Sequence, residues 1–541
     1  MARVRLRLAV VLTALVAVVP ATALAAHLTG TSRADRIVGT AAADTIDGRA
    51  GNDVIQGRSG NDLLIGGLGR DSLSGAGGDD SVVANGDAAR DTIACGTGRD
   101  TVNADLADSV GKDCEVVSRQ LSTDTVEDGG GQHATEVEPD SYSVGGRLVA
   151  VFQVGRVSNG GATAIGFSAT RDAGRTWHAG LLPGVTTQSP QPGVDPRASD
   201  PSVGYDVVHN VWLATSLGIA ADHFEFLVSR SADGITWQLP VVARRTGAGV
   251  LDKEWVACDN WQASPNRGHC YLSYLDVGSG LIVTQTTTDG GLTWGPAVQT
   301  SIQPATGLEP NGAQPLPRAD GALIVVYELG GEQEPTLSDA MMAATSTDGG
   351  ATFGPSVTIS SLTTAPVPGM RAPPLPSADI AADGKVYVVW SDCRFDPGCT
   401  RNRIVLSTSP DGQTWSAPSA IGATPAGTTQ FVPGIGVDPA SHNLVALAFY
   451  SQTSRCAPAA PCPQLDVWSE RSSDNGQTWA KPERLDAQPM QLSWLPQAGG
   501  RFLGDYNSVS YLGDRSAPVY ALAVQPWGGK LRQAVMGLQR G

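Results

Sequence analysis

Two hydrophobic rhythms divide the chain. From about residue 30 to 115 aliphatic side chains stand singly, at Ile37, Ile46, Ile55, Leu64, Leu73, Val82, Ile93 and Val102, each two places after an aspartate. Those aspartates, Asp35, Asp44, Asp53, Asp62, Asp71, Asp80, Asp91 and Asp100, fall nine residues apart except for one step of eleven. The aliphatic residues are expected to stack inward as the only core such a stretch can make. Beyond residue 118 the apolar residues come in longer runs, RLVAVFQV at 147–154, NVWLATSL at 210–217, KVYVVWS at 385–391 and NLVALAFY at 443–450. Two or three such runs precede each of six short polar turns, which predicts modules of four short strands.

The early repeats read GRAGNDVIQ from Gly48, GRSGNDLLI from Gly57, GGLGRDSLS from Gly66 and GAGGDDSVV from Gly75. Glycine lets the turn reach backbone angles that other residues resist, and the aspartate offers a hard oxygen to a cation held between turns. These units resemble the nonapeptide G-G-x-G-x-D-x-U-x of RTX, or haemolysin-type, repeats. The resemblance implies a parallel β-roll that binds Ca²⁺ through Asp44, Gly48, Gly51, Asp53, Gly57, Gly60, Asp62, Gly66, Gly69, Asp71, Gly75, Gly78, Asp80 and Asp100. A Gly/Asp-rich disordered linker is the bland alternative, but low complexity does not place an aliphatic residue two after every aspartate. The units from Gly30 and Gly39 lack the middle glycine and read as capping turns. The eleven-residue step before Asp91 is expected to interrupt the stacking, so fewer ions than repeats are expected.

The later turns are TRDAGRTW (170–177), SADGITW (231–237), TTDGGLTW (287–294), STDGGATF (346–353), SPDGQTW (409–415) and SSDNGQTW (472–479). Their closing aromatics, Trp177, Trp237, Trp294, Phe353, Trp415 and Trp479, are 60, 57, 59, 62 and 64 residues apart. At such a hairpin tip the Asp bonds backbone amides, the Gly takes the unusual angle, and the aromatic packs between modules. The pattern resembles the Asp-box, or BNR repeat, of the sialidase superfamily, with the copies at Asp233 and Asp411 one residue shorter. The expected fold class is all-β: a parallel β-roll at 26–118, then a sialidase-like β-propeller at 119–541. A parallel β-helix competes, but its coils are far shorter than these modules. The runs NSVSYLG, PVYALAVQ and LRQAVMGL form a last group that lacks an outer strand. The stretch from Glu115 to Thr123 is placed to supply it and close the ring, so seven blades are favoured over six.

A net charge of −16 on 541 residues speaks against nucleic acid or an anionic membrane as partner. Residues 1–25 read as an export signal of the Sec type, with Arg3, Arg5 and Arg7 before the apolar stretch Leu8 to Val19 and Ala23-Leu24-Ala25 at the cleavage site. No later run reaches the roughly 18 apolar residues of a membrane helix. A secreted bacterial protein, extracellular or attached to the cell surface, is expected. Its eight cysteines fall as four local pairs, Cys95/Cys114, Cys258/Cys270, Cys393/Cys399 and Cys456/Cys462, which predicts four disulfides rather than a zinc site.

In a propeller the polar turns sit away from the central funnel, so their aspartates read as structural and the ligand site belongs to the loops at the other face. Those loops carry Asp200, Asp252, Lys253, Glu254, Glu309, Glu328, Glu332, Glu334, Arg371, Asp392, Arg394, Asp505 and Tyr506. The sialidase resemblance implies three arginines that clamp a carboxylate, a tyrosine nucleophile and acidic partners. Arg371 and Arg394 are the clamp candidates, Tyr506 or Tyr327 the nucleophile, and Asp392, Asp252 and Glu328 the carboxylates. The family's F/Y-R-I-P motif is absent: the corresponding stretch TEVEPDSYSVGG has no arginine. Three functions stay open: an exo-glycosidase acting on sialylated or other acidic glycans, a lyase or hydrolase on another acidic polysaccharide, and a non-catalytic propeller that binds glycan or protein at the cell surface.

Overall fold

A computed structural model of the protein describes the chain except residues 1–23, 128–129, 304, 306, 331–338, 423–426, 442, 453–462 and 540–541. Most of the expected export signal, Glu332, Glu334, and the pair Cys456 and Cys462 lie outside the described residues. Apart from a single 3-10 turn at Leu492–Trp494, the described elements are strands, and no helix is long and apolar enough to cross a membrane.

The amino-terminal part is a parallel β-roll. Strands His27–Thr29, Thr45–Asp47, Leu63–Ile65, Ser81–Ala84 and Thr101–Asp105 build one sheet, and Arg36–Val38, Val54–Ser59, Ser72–Gly77, Thr92–Thr97 and Ser109–Val110 the other. Two nonapeptides make one turn, so Ile46 lies beside Leu64 in one sheet and Ile55 beside Leu73 in the other. Ile46, Ile55, Leu64 and Val82 are fully buried between the two sheets. Gly69 shows why the turns need glycine: its φ is +119°, and a Cβ would sit 1.9 Å from the carbonyl oxygen of Gly51 in the preceding turn. The eleven-residue step does not interrupt the stack, contrary to expectation. Leu73 pairs with Ile93 and Val82 with Val102 across it, because the two extra residues are taken up in the turn, where the N–H groups of Gly86 and Ala88 donate to Asp105.

The rest is a β-propeller. Among the described residues seven four-stranded antiparallel meanders follow, numbered here as blades 1 to 7. Their innermost strands are Gln132–Val144, Arg197–Asp206, Leu251–Cys258, Glu309–Pro317, Ser377–Ile380, Thr428–Val437 and Ser508–Leu512. Each touches the next and the last touches the first, which closes a ring. A separate apolar cluster fills each blade interface; Val149 and Trp212 of blades 1 and 2, for example, share one. Blade 7 lacks an outer strand of its own: Val116–Gln120 supplies it, antiparallel to Gln533–Gln539. The same strand lies parallel to Thr101–Asp105, so one sheet of the roll runs on into the last blade. The boundary expected at 118/119 falls inside this shared strand. Asn103 adds to the junction, donating to the Leu485 carbonyl at 3.0 Å and accepting from the Ala487 N–H at 2.6 Å.

The six polar turns join the third and fourth strands of blades 1 to 6. Asp289 accepts the N–H groups of Leu292 and Thr293 at 3.0 Å and the Thr293 hydroxyl at 2.6 Å. Each closing aromatic packs into the cluster between its own blade and the one before, as Trp415 does between blades 4 and 5. In an antiparallel meander this hairpin points away from the end at which the innermost strands begin, so the turns are scaffold and the funnel lies at the opposite face.

Candidate functional site

Five of the seven innermost strands are bulged. Register shifts fall between Val137 and Asp140, Ser199 and Ser202, Asp252 and Trp255, Asn311 and Gln314, and Phe431 and Gly434. Within them Glu138, Asp200, Lys253 and Val432 hold positive φ angles of 52°, 48°, 49° and 49°. A bulge swings a side chain out of the regular alternation, and here it turns Glu138, Asp200 and Lys253 toward one another. The Lys253 ammonium donates to Asp505 at 2.7 Å and to Glu138 at 3.1 Å, and lies 2.9 Å from Asp200. Arg371, from the loop leading into blade 5, grips Asp505 with two bonds, Nη2 at 2.5 Å and Nε at 3.2 Å. Gln153 donates to Glu138 and accepts from Arg156 at 2.8 Å, and the guanidinium groups of Arg156 and Arg371 stack on Phe502.

Burial and charge set the protonation of this cluster. Burial would lower the Lys253 ammonium, but Asp200, Asp505 and Glu138 outweigh it and hold its pKa well above the ordinary value. Burial would raise Asp505, yet Lys253 and Arg371 keep it below the usual carboxylate range. Asp252 is pushed up to about 7 by burial and by Asp200, against the pull of Lys253 and Arg371. Glu328 is pushed up to about 7 by burial and by Asp339. Glu254 has neither carboxyl oxygen hydrogen-bonded, and burial raises it well above its ordinary range.

Asp252, Glu328, Arg371 and Asp505 line one cavity of about 340 Å³, together with Lys253 and Asn311. A second cavity of about 380 Å³ lies further along the axis. Its acidic groups Asp140 and Asp379 are taken up by the N–H groups of Val203 and Val437. Of the residues expected from sequence, Arg371, Asp252 and Glu328 therefore meet. Arg394 and Asp392 do not join them: they pair with each other at 2.7 and 2.8 Å, and Arg394 also donates to Ser360 at 3.0 Å. Tyr506 is buried beside the cluster, donates its hydroxyl to the Pro201 carbonyl at 3.0 Å, and has its pKa raised, by burial first, which unsuits it as a nucleophile. Tyr327 is spent in the interface of blades 3 and 4, donating to Ser356 at 2.8 Å. Glu138 was missed in the sequence. Its signal is a bulge residue followed by proline inside an apolar strand, seen in Glu138-Pro139, Asp200-Pro201 and Val432-Pro433.

The roll holds a second set of donors. From Asp53 to Asp100 one carboxylate oxygen of each repeat aspartate accepts the N–H of an aspartate one turn back, as Asp80 does from Asp62 at 2.9 Å. The other oxygen, on Asp53, Asp62, Asp71, Asp80, Asp91 and Asp100, is buried without a hydrogen-bond partner. Gly48, Gly57, Gly66 and Gly75 leave the space: a Cβ there would lie 2.2 to 2.7 Å from that oxygen. Burial pushes Asp71 to about 6, Asp80 to about 7 and Asp91 to about 8. Stacked, unpartnered hard oxygens of this kind fit Ca²⁺. Asp91 belongs to the set although the sequence reading left it out. Asp44 stands apart, with Ala26 and Thr40 taking up both its oxygens. Three of the four expected disulfides are formed: Cys95–Cys114, Cys258–Cys270 and Cys393–Cys399.

The RTX calcium-binding nonapeptide repeat (4 copies) matches residues 29–64 and 56–88, and the roll is a calcium-binding unit. No curated protein matches the chain. Among solved structures it is similar to the α-L-arabinofuranosidase Arb93A from Fusarium graminearum, at 15% identity and TM-score 0.41 over 66% of this chain and 98% of that one. It is also similar to the NanB sialidase from Streptococcus pneumoniae, at 14% identity and TM-score 0.41 over 61% and 66%. A third is an α-L-arabinanase from Penicillium chrysogenum, at 16% identity and TM-score 0.42 over 62% and 93%. At these values no site residue is carried over from them.

Proposed function

We propose that the funnel hydrolyses glycosidic bonds of an extracellular glycan, and that its sugar is neutral rather than sialylated or otherwise acidic. The observation behind this reading is that Asp252 and Glu328, both near 7, line one open cavity with an Asp505 that two cations keep ionised. Glycoside hydrolysis uses such carboxyl pairs. Glu328 gives its proton to the glycosidic oxygen as the bond to the leaving group breaks. Asp252 takes a proton from water as the water oxygen bonds to the anomeric carbon. Asp505 and Lys253 hold the cavity's charge in place. Arg371 already spends two donors on Asp505, and an anionic sugar would meet several carboxylates, which argues against the sialidase clamp. On this reading the chain is secreted through its leader and the roll serves calcium-dependent folding outside the cell.

A second reading, a non-catalytic propeller for glycan or protein at the cell surface, draws support from Tyr506, whose hydroxyl is engaged with Pro201. Turnover of neutral and sialylated aryl glycosides by the full chain in calcium separates the two. Hydrolysis of a neutral glycoside is expected, with Glu328→Gln and Asp252→Asn each lowering kcat roughly 10²–10⁴-fold. Saturable glycan binding without turnover would favour the second reading, and sialoside turnover would overturn the neutral assignment.

A further inference from the structure

Blade 2 carries a cluster that neither the funnel chemistry nor the roll uses. Asp195 lies in the loop that leads into the inner strand Arg197–Asp206, while His223 and Glu225 open the third strand, His223–Ser231. Two residues apart on a strand, His223 and Glu225 share one face, and Asp195 lies across it. One ligand-type atom from each of the three falls within 4.8 Å of the others. Asp195 is only 1% exposed. Neither of its carboxylate oxygens has a hydrogen-bond partner, and neither has Nε2 of His223, although Nε2 lies 3.1 Å from Oδ1 of Asp195. The last two atoms make the close contact of an ion pair but no well-aligned hydrogen bond, a spacing that a shared cation would also bridge.

Each of the strand residues has its own outer partner. Nδ1 of His223 is held by the Asp222 carboxylate at 2.8 Å, which orients the ring with Nε2 turned inward, as an outer partner of a metal-binding imidazole would. Arg245, opposite Glu225 on the outer strand, donates to it at 2.5 Å. Space is kept by Gly218, across the ladder from Glu225, where a Cβ would lie 2.3 Å from Asp195 Oδ2. Two buried carboxylates and a ring nitrogen converge on one point, a donor set that suits a divalent cation.

We propose that Asp195, His223 and Glu225 bind a first-row divalent metal ion of the Zn²⁺ class. The imidazole nitrogen selects such an ion over Ca²⁺, which prefers an all-oxygen shell, and three protein ligands leave a place for water. Bound there, the ion ties the loop leading into blade 2 to the third strand at the funnel face, independently of what the funnel hydrolyses.

The test is a Zn²⁺ titration by calorimetry of the full chain without a histidine tag, in millimolar Ca²⁺ so that the roll stays loaded. One Zn²⁺ per chain is expected. His223→Gln and Asp195→Asn should each weaken it by more than the roughly 10–100-fold typical of losing an outer partner. Asp222→Asn, at a residue whose side chain is 88% exposed and so no threat to folding, should weaken it within that range. Absence of zinc binding by the natural chain would reduce the cluster to an ion pair and overturn the assignment. So would binding that these variants leave unchanged, or displacement of the zinc by equimolar calcium.

Discussion

Replacing Asp80 by Asn is expected to stabilise the protein in chelator and to lose that advantage in calcium. Asp80 is 1% exposed, and its unpartnered oxygen faces the carbonyls and carboxylates of the stack. Without metal, burial and the neighbouring carboxylates Asp62 and Asp100 raise its pKa from 3.8 to about 7. The folded chain then binds this proton more tightly than the unfolded chain. Its contribution is therefore present at acid pH and is lost as pH rises from the ordinary carboxylate range through about 7. A rise of that size corresponds to at most about 4 kcal/mol, and solvent screening near the surface of the roll reduces it to about 2 kcal/mol. Asparagine keeps the acceptor for the Asp62 N–H at 2.9 Å and removes the charge, so at pH near 8 in chelator the variant should gain about that amount. In about 10 mM Ca²⁺, with an affinity typical of extracellular modules, one ion stabilises by about 1.5–3 kcal/mol, most of which the variant forgoes. Calorimetric melts of both chains in calcium and in chelator should therefore differ by a swing of about 1.5–3 kcal/mol, which cancels or reverses the variant's advantage when calcium is added. A variant less stable than the natural chain in both conditions would refute the reasoning, and so would one whose difference from the natural chain is the same in calcium and in chelator. Because Val116–Gln120 belongs to both units, melting of the roll should carry the last blade with it.

Three further outcomes are expected. Gly412→Ala should lose about 2–4 kcal/mol in urea unfolding, since its φ is +74° and the new Cβ would meet Ile324 of blade 4 at 2.5 Å; unchanged stability would mean that the blades can separate there without penalty. Lys253→Met leaves Glu138, Asp200 and Asp505 facing one another without their cation and should lose about 3–5 kcal/mol at neutral pH, a deficit that shrinks in acid as the carboxylates protonate. Turnover, on the proposed mechanism, should follow a narrow bell near pH 7, because Glu328 must hold its proton and Asp252 must have lost one; a plateau reaching about pH 9 would exclude Glu328 as the acid.

The roll was legible because its contacts repeat with its sequence: an aliphatic residue every nine positions finds a like neighbour one turn away, so periodicity alone fixes register and donor spacing. The blades were legible for a related reason. Each polar turn is a local structure whose hydrogen bonds run within a few residues, and even the outer strand of blade 7 could be anticipated from a strand missing at one end and a spare one at the other. What the array did across its eleven-residue step was not legible, since a turn can absorb two residues without moving the strands on either side.

The funnel belongs to the other kind of information. Arg371, Asp252 and Glu328 could be named as loop residues of the right chemistry, but nothing local distinguished them from Arg394 and Asp392, which look alike in sequence and turn to each other. Glu138, Asp200, Lys253 and Asp505 come from blades 1, 2, 3 and 7 and meet only when the ring closes. The blades themselves were set by short-range pattern, hydrophobic spacing and turn chemistry. Which charges face the axis was set by bulge angles and ring closure, geometric quantities that depend on all the blades at once and so are written in no single stretch of the chain.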